Sequence, residues 1–332
     1  MVQIPGALKL LALSSMAQAA YTQVDQYDPS NFFDKMEFFS GADPTNGFVK
    51  YVDTATADAN GLAGFAQGGI YLGSDSKNPT TAGRSSTRVT SKQAYTKGLF
   101  IADIAHMPAG TGDGGSCGLW PAFWMFGPNW PSSGEIDIIE GVNNQQSNSV
   151  TLHTGAGCRM TNTGALASTK LANADCQGNQ GCGQQTSATN NYGAGFNAAG
   201  GGVYAVEWTS DHIAVWFFPR GDPTAARLAS PSGGAAPDPA SFGQPMARFV
   251  GDSCSIDDHF VNNNIVFNIA YCGDWAGQVW AQDPTCSRLA PTCSQYVAEH
   301  PEAFVEAYWL INSVKVYQQQ GGAKREARES VA

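Results

Sequence analysis

Charge is scarce in this sequence: only 14% of residues are Asp, Glu, Lys or Arg, and 18 cations face 28 anions for a net charge of −10. A surface so short of cations is ill-suited to phosphate backbones or anionic membranes, which excludes nucleic acid and lipid headgroups as principal partners and suits a neutral substrate. No apolar run approaches the roughly 18 residues needed to span a bilayer, so no membrane span is expected. Asn-x-Ser/Thr sequons are missing as well, so N-glycosylation is not expected. Although there are eight cysteines and five histidines, there is no Cys-x-x-Cys pair and no histidine cluster, which argues against a zinc site. Internal repeats and low-complexity tracts are not evident.

What is present reads as β structure in an oxidising compartment. The 332 residues include 38 glycines spread throughout, which suits one large, turn-rich β domain with ample length for a core. An even cysteine count in an exported chain implies disulfides. Of the many connectivities, only the local closure of Cys176 with Cys182 is predicted. Leu10-Leu-Ala-Leu13 opens an apolar stretch ending in Ala17-Gln-Ala19, which reads as a secretory signal cleaved after Ala19. The expected organisation is a signal peptide over 1–19, a single β domain over 20–319 and a disordered tail over 320–332.

Strand chemistry recurs along the chain: Gly98 to Ala105, Arg88 to Thr90, Val150 to Thr154, Asn264 to Ala270 and Ala307 to Tyr317. Val203 to Thr209 and Ile213 to Phe218 flank Ser210-Asp-His212 as a hairpin. Residues Gly155 to Gly202 read as a long disulfide-tied excursion without regular elements, forming one wall of a cleft. Phe218 to Pro223 reads as a loop, and Cys293 to His300 as a short helix. About a dozen strand-like segments without a long helix argue for a β-sandwich.

The chemistry concentrates in Ser133-Gly-Glu-Ile-Asp-Ile-Ile-Glu-Gly141. On a regular strand Glu135 and Asp137 share a face, but Glu140, five residues beyond Glu135, points away. One extra residue accommodated as a β-bulge near Ile138-Ile139 slips the phase and brings all three carboxylates to one face. Two such carboxyls, roughly 5 to 5.5 Å apart, are what a retaining glycosidase uses as nucleophile and acid/base. The third supplies like-charge pressure that keeps one neighbour protonated. The rival readings are a charge-blunted edge strand and a calcium site; a dedicated calcium loop carries Asp, Asn and Gly rather than Ile-Ile. Trp120 and Trp124, four apart, fall on one strand face, and indole stacks well on the C–H face of a sugar. Trp130 lies on a Pro-flanked loop. Glu207 interrupts an apolar run, with the cleft on one side and a cross-strand partner or solvent on the other as its readings. Arg88 reads either as an approach to the carboxylates or, more simply, as a solvated strand charge.

Gly134-Glu-Ile-Asp-Ile-Ile-Glu-Gly141, preceded by Gly118-Leu-Trp-Pro-Ala-Phe-Trp-Met-Phe-Gly127, resembles the bulged signature of glycoside hydrolase family 16, that of the laminarinases. Tyr204-Ala-Val-Glu-Trp-Thr-Ser-Asp-His-Ile213 and Cys272-Gly-Asp-Trp-Ala-Gly277 are similar to segments of secreted fungal endo-β-1,3(4)-glucanases, and the likeness runs from about Tyr21 to Tyr317. It implies an all-β jelly roll of two curved antiparallel sheets with long cleft-forming loops. It also implies Glu135 as nucleophile, Glu140 as acid/base, Asp137 tuning the nucleophile, and sugar contacts from Trp120, Trp124 and Trp275. A histidine at position 153 would look toward the carboxylates. The expected protein is a secreted, monomeric endo-hydrolase of β-1,3-glucan and mixed β-1,3/1,4-glucan that requires no cofactor and has no predicted structural calcium. Its rivals are a transglycosylase using the same carboxylates and a glucan-binding protein, relatives of which would be expected to lack them.

Overall fold

Apolar residues at every second position build a computed structural model that describes residues 21–230 and 236–319. The expected signal segment and C-terminal tail lie outside the described residues. Two large sheets dominate, one of nine and one of eight strands, with a two-stranded parallel pair, Val49–Tyr51 and Arg84–Ser86, beside them. Strand pairing within both large sheets is antiparallel. The eight-stranded sheet runs in the order Lys170–Leu171, Cys182–Gln185, Ser149–His153, Glu135–Glu140, Leu119–Phe126, Asn263–Tyr271, Arg88–Tyr95, Met36–Phe38. Its centre is therefore the carboxylate strand, the tryptophan strand and the long strand Asn263–Tyr271.

Alternation sorts these strands cleanly. Leu119, Phe123, Met125, Ile136, Ile139, Phe267 and Ile269 are buried in the main core, where they meet Phe100, Ile104, Tyr204, Val206 and Phe249 of the nine-stranded sheet. Each such side chain contributes about 1.5–3 kcal/mol by leaving water. The opposite face of the eight-stranded sheet is left for polar and aromatic residues. The jelly-roll sandwich expected from the sequence is the observed class.

The nine-stranded sheet carries a second apolar layer on its outer face. Leu99, Ile101, Val203, Ala205, Trp216 and Phe218 pack there beneath Ala225, Leu228 and Phe242. Ala225 and Leu228 belong to the helix Pro223–Ala229, which the turn-rich sequence before it disguised as loop. Pro223 sits at its first turn, Asp222 caps it by accepting the Thr224 N–H at 2.6 Å, and the buried Lys315 Nζ donates to the Leu228 and Ser230 carbonyls at its end. Residues 155–202 are also more regular than expected. They hold the strands Met160–Thr161, Lys170–Leu171 and Cys182–Gln185 and the helix Gly193–Ala198, the first two strands being too short for alternation to register in sequence. Among the described residues, no helix is long and apolar enough to cross a membrane.

Candidate active site

The carboxylate strand does contain the bulge. Against one neighbour Asp137 pairs with Thr151 and Glu140 with Ser149; against the other Asp137 pairs with Trp124 but Ile139 with Phe123. One extra residue, at Ile138, is thus absorbed, and Ile138 and Ile139 both stay fully buried. Glu140 consequently pairs with Ala122 and Glu135 with Phe126 across the same neighbouring strand. Directly opposed residues share a face, so Glu135, Asp137 and Glu140 share the outer face of the sheet.

The three acids sit in different surroundings. His153, opposite Glu135 in register, places Nε2 3.2 Å from Asp137 Oδ2 and 3.7 Å from Glu135 Oε1. Its Nδ1 lies 2.8 Å from the Gly178 carbonyl. A carbonyl only accepts, so Nδ1 carries a proton, and the Nε2 side faces carboxylates. Burial alone would lower the His153 pKa, but Asp137, Glu135 and the Gly178 carbonyl outweigh it and push it up to about 10. These neighbours favour the imidazolium form. Glu135 is raised to about 8, chiefly by burial and then by the charge of Asp137, against the opposing pull of His153, Trp130 and Arg88. Glu140 is pushed well above the ordinary carboxylate range by burial and Asp137, with a 2.8 Å hydrogen bond from Trp120 Nε1 acting the other way. Glu135, Asp137 and His153 are near enough together to surround an ion. Here His153 is the counter-charge to the acids.

Aromatic side chains line the approach. Trp120 and Trp275 meet edge to face with ring centres 5.8 Å apart. Trp275 rides on the turn Gly273–Gly277, which is tied to the helix Cys293–Glu299 by the Cys272–Cys293 disulfide. Trp124 is held by its Nε1 donating to Asn268 Oδ1 at 2.7 Å, while Asn268 Nδ2 donates to the Tyr51 hydroxyl at 3.1 Å. Trp120, Trp124 and Trp275 are all half-buried, leaving part of each ring open, and Trp130 is exposed on its loop.

Two residues with alternative sequence readings are placed by the structure, Glu207 with a cross-strand partner, His212. Arg88 is buried rather than solvated: its guanidinium lies 5.0 Å from the Trp124 ring centre and 4.7 Å from that of Phe39. Cation–π contacts compensate in part for its removal from water. Glu207 is on the far side of the molecule, on the outer layer of the nine-stranded sheet, where it accepts from the Tyr21 hydroxyl at 2.9 Å and pairs with His212 Nε2 at 2.9 Å. Asn268 escaped sequence reading altogether. Its only signal was a polar residue in phase with Asn264 on an otherwise apolar strand.

The chain is similar to several known proteins. A family model described as the XgeA-like catalytic GH16 domain matches residues 36–317. An endo-1,3(4)-beta-glucanase of Arthroderma benhamiae is 45% identical over 322 residues, covering 95% of this chain and 68% of that protein. Endo-1,3(4)-beta-glucanase xgeA of Emericella nidulans is 39% identical over 98% of this chain, which spans 52% of that relative's length. Laminarinase 16A of Phanerochaete chrysosporium, solved with two beta-glucans in its donor and acceptor sites, superposes with a TM-score of 0.82 at 40% identity, covering 90% of this chain and all of that one. An elongating family 16 beta-1,3-glucosyltransferase superposes at 0.79, also with 40% identity.

Proposed function

Since this chain belongs to glycoside hydrolase family 16, we propose that it is a retaining endo-hydrolase of β-1,3-glucan and mixed β-1,3/1,4-glucan. The observation that carries the reading is the bulge, which sets Glu135 and Glu140 on one outer face beside Trp120 and Trp124. Glu135 attacks the anomeric carbon as the glycosidic C–O bond breaks. Glu140 delivers its proton to the departing oxygen, then takes one from the water that releases the glycosyl-enzyme. The assignment of roles follows the charges: His153 lies beside Glu135 and favours its ionised form, whereas the Glu140 carboxyl, accepting from the Trp120 indole N–H, is held protonated chiefly by burial and the charge of Asp137. Asp137 holds His153 in place and tunes the pair. Trp120, Trp124 and Trp275 hold glucosyl rings. The four disulfides support a secreted protein.

Transglycosylation uses the same covalent intermediate with a sugar hydroxyl in place of water, and the glucosyltransferase at 40% identity keeps it as the second reading. A timed chromatogram of products from soluble β-1,3-glucan and from mixed-linkage glucan separates them. Ladders of shorter oligosaccharides from both polymers are expected. Chains longer than the input would make transfer the main activity. Glu135→Gln should lower turnover by at least about 10³-fold, the scale for loss of a covalent or acid–base group, while the variant is still retained on glucan; normal turnover in that variant would end the assignment.

A further inference from the structure

A bulge interrupts the hydrogen-bond ladder between two strands, and here it does so in a buried place. The register slips between Asp137 and Glu140 where the strand faces Ser149–His153. The backbone groups at the slip are met by one side chain: Asn148 Nδ2 donates to the Ile138 carbonyl at 2.7 Å, and Asn148 Oδ1 accepts the Glu140 N–H at 2.9 Å. Asn148 is fully buried. Its own N–H donates to Asn191 Oδ1 at 3.0 Å, and Asn191, also buried, is held through Nδ2 by Thr186 Oγ1 at 2.8 Å.

From these contacts we infer that Asn148 is a positioning residue that fixes the bulge in the form turning Glu140 toward the cleft. A primary amide is the one side-chain group that offers a donor and an acceptor at this spacing without charge. Asp keeps the acceptor for the Glu140 N–H but sets a carboxylate against the Ile138 carbonyl. Ala leaves both backbone groups unpaired, and Gln adds a methylene to a site with no room. Asn148 contacts the bulge on the Glu140 side and makes no hydrogen bond to Glu135, so its loss should impair proton donation more than nucleophilic attack. The inference rests on the proposed role of Glu140 as acid/base.

The split is measurable because proton donation matters for a sugar leaving group and little for 2,4-dinitrophenolate. Asn148→Ala, Asn148→Asp and, in parallel, Glu140→Ala are assayed on β-1,3-glucan and on 2,4-dinitrophenyl β-laminaribioside, with and without azide, after circular dichroism confirms the fold. Glu140→Ala should lose about 10³-fold in kcat/KM on glucan, keep most of it on the activated glycoside, and have its kcat raised by azide, which attacks the glycosyl-enzyme without a base. The Asn148 variants should show the same pattern at about 10²-fold on glucan, with azide rescue. Equal losses on both substrates, or no loss, would overturn the positioning role while Glu140→Ala still shows the split. If Glu140→Ala shows no split, the acid/base assignment itself fails. Should the alanine variant not fold, Asn148→Asp, of nearly unchanged size, carries the test.

Discussion

Glu135 and Glu140 are chemically identical and are separated by what surrounds them. Glu135 has an imidazolium 3.7 Å away and Glu140 an indole N–H, so the first is the easier to ionise and the second the easier to keep protonated. Stability should record this. The folded-state pKa of Glu135 is about 8 against an ordinary 4.5, so between those values the native state holds a proton that the unfolded chain has released. Its contribution to stability is therefore fully present below pH 4.5 and is lost as pH rises toward 8. Glu135→Gln, which cannot ionise, should gain on the order of a few kcal/mol relative to wild type at pH 8 and show little difference at pH 4. Urea melts at the two pH values test this, and equal gaps would refute it. His153→Gln removes the cation that lowers the Glu135 pKa, so the acid limb of its kcat/KM profile should move to higher pH; an unmoved limb would remove His153 from the electrostatics. Residues of this kind differed in how far the sequence revealed them. Three carboxylates within six positions on an isoleucine strand announce themselves, whereas Arg88 and Asn268 were single polar residues whose partners, Phe39, Trp124 and Tyr51, lie far off in the chain.

At the scale of elements, the phase argument located the bulge because a period of two leaves only one way to bring Glu140 round. The same rule could not see helix Pro223–Ala229, whose burial depends on an apolar patch assembled from distant strands, nor the short strands of residues 155–202. One small element in that region reaches the site. Cys176 and Cys182 close a loop spanning a sequence separation of 6, and from it the Gly178 carbonyl holds His153 Nδ1. Backbone bonds from Thr154 N–H to the Cys176 carbonyl at 2.8 Å and from Gly178 N–H to the Thr154 carbonyl at 3.1 Å lay the loop along the histidine strand. Cys176→Ser with Cys182→Ser should lower kcat by roughly tenfold, about 1.4 kcal/mol of lost positioning, with KM changing less. In a His153→Gln background the same double substitution should add little, because both changes act through one group. Full additivity would mean that the loop works by another route.

Over the whole molecule the disulfides divide between long-range bracing and local aim. Cys117–Cys286 joins segments separated by 169 residues and Cys158–Cys254 by 96, whereas Cys272–Cys293 spans 21 and Cys176–Cys182 only 6. The first of these anchors the entrance to the tryptophan strand Leu119–Phe126, beyond the turn that carries Trp275. Even with the other bridges shortening its effective loop, the chain-entropy model assigns Cys117–Cys286 about 4–5 kcal/mol and the small loop about 2 kcal/mol. Strain and residual structure in the unfolded chain modify such values but should not invert an order set by so large a difference in span. Replacing Cys117 and Cys286 with Ala should therefore lower the urea midpoint clearly more than replacing Cys176 and Cys182 with Ser. Turnover measured well below either midpoint should rank the other way, since only the small loop touches His153. If both pairs moved stability and turnover in proportion, the cystines would be uniform braces, and the small loop would lose its claim on His153.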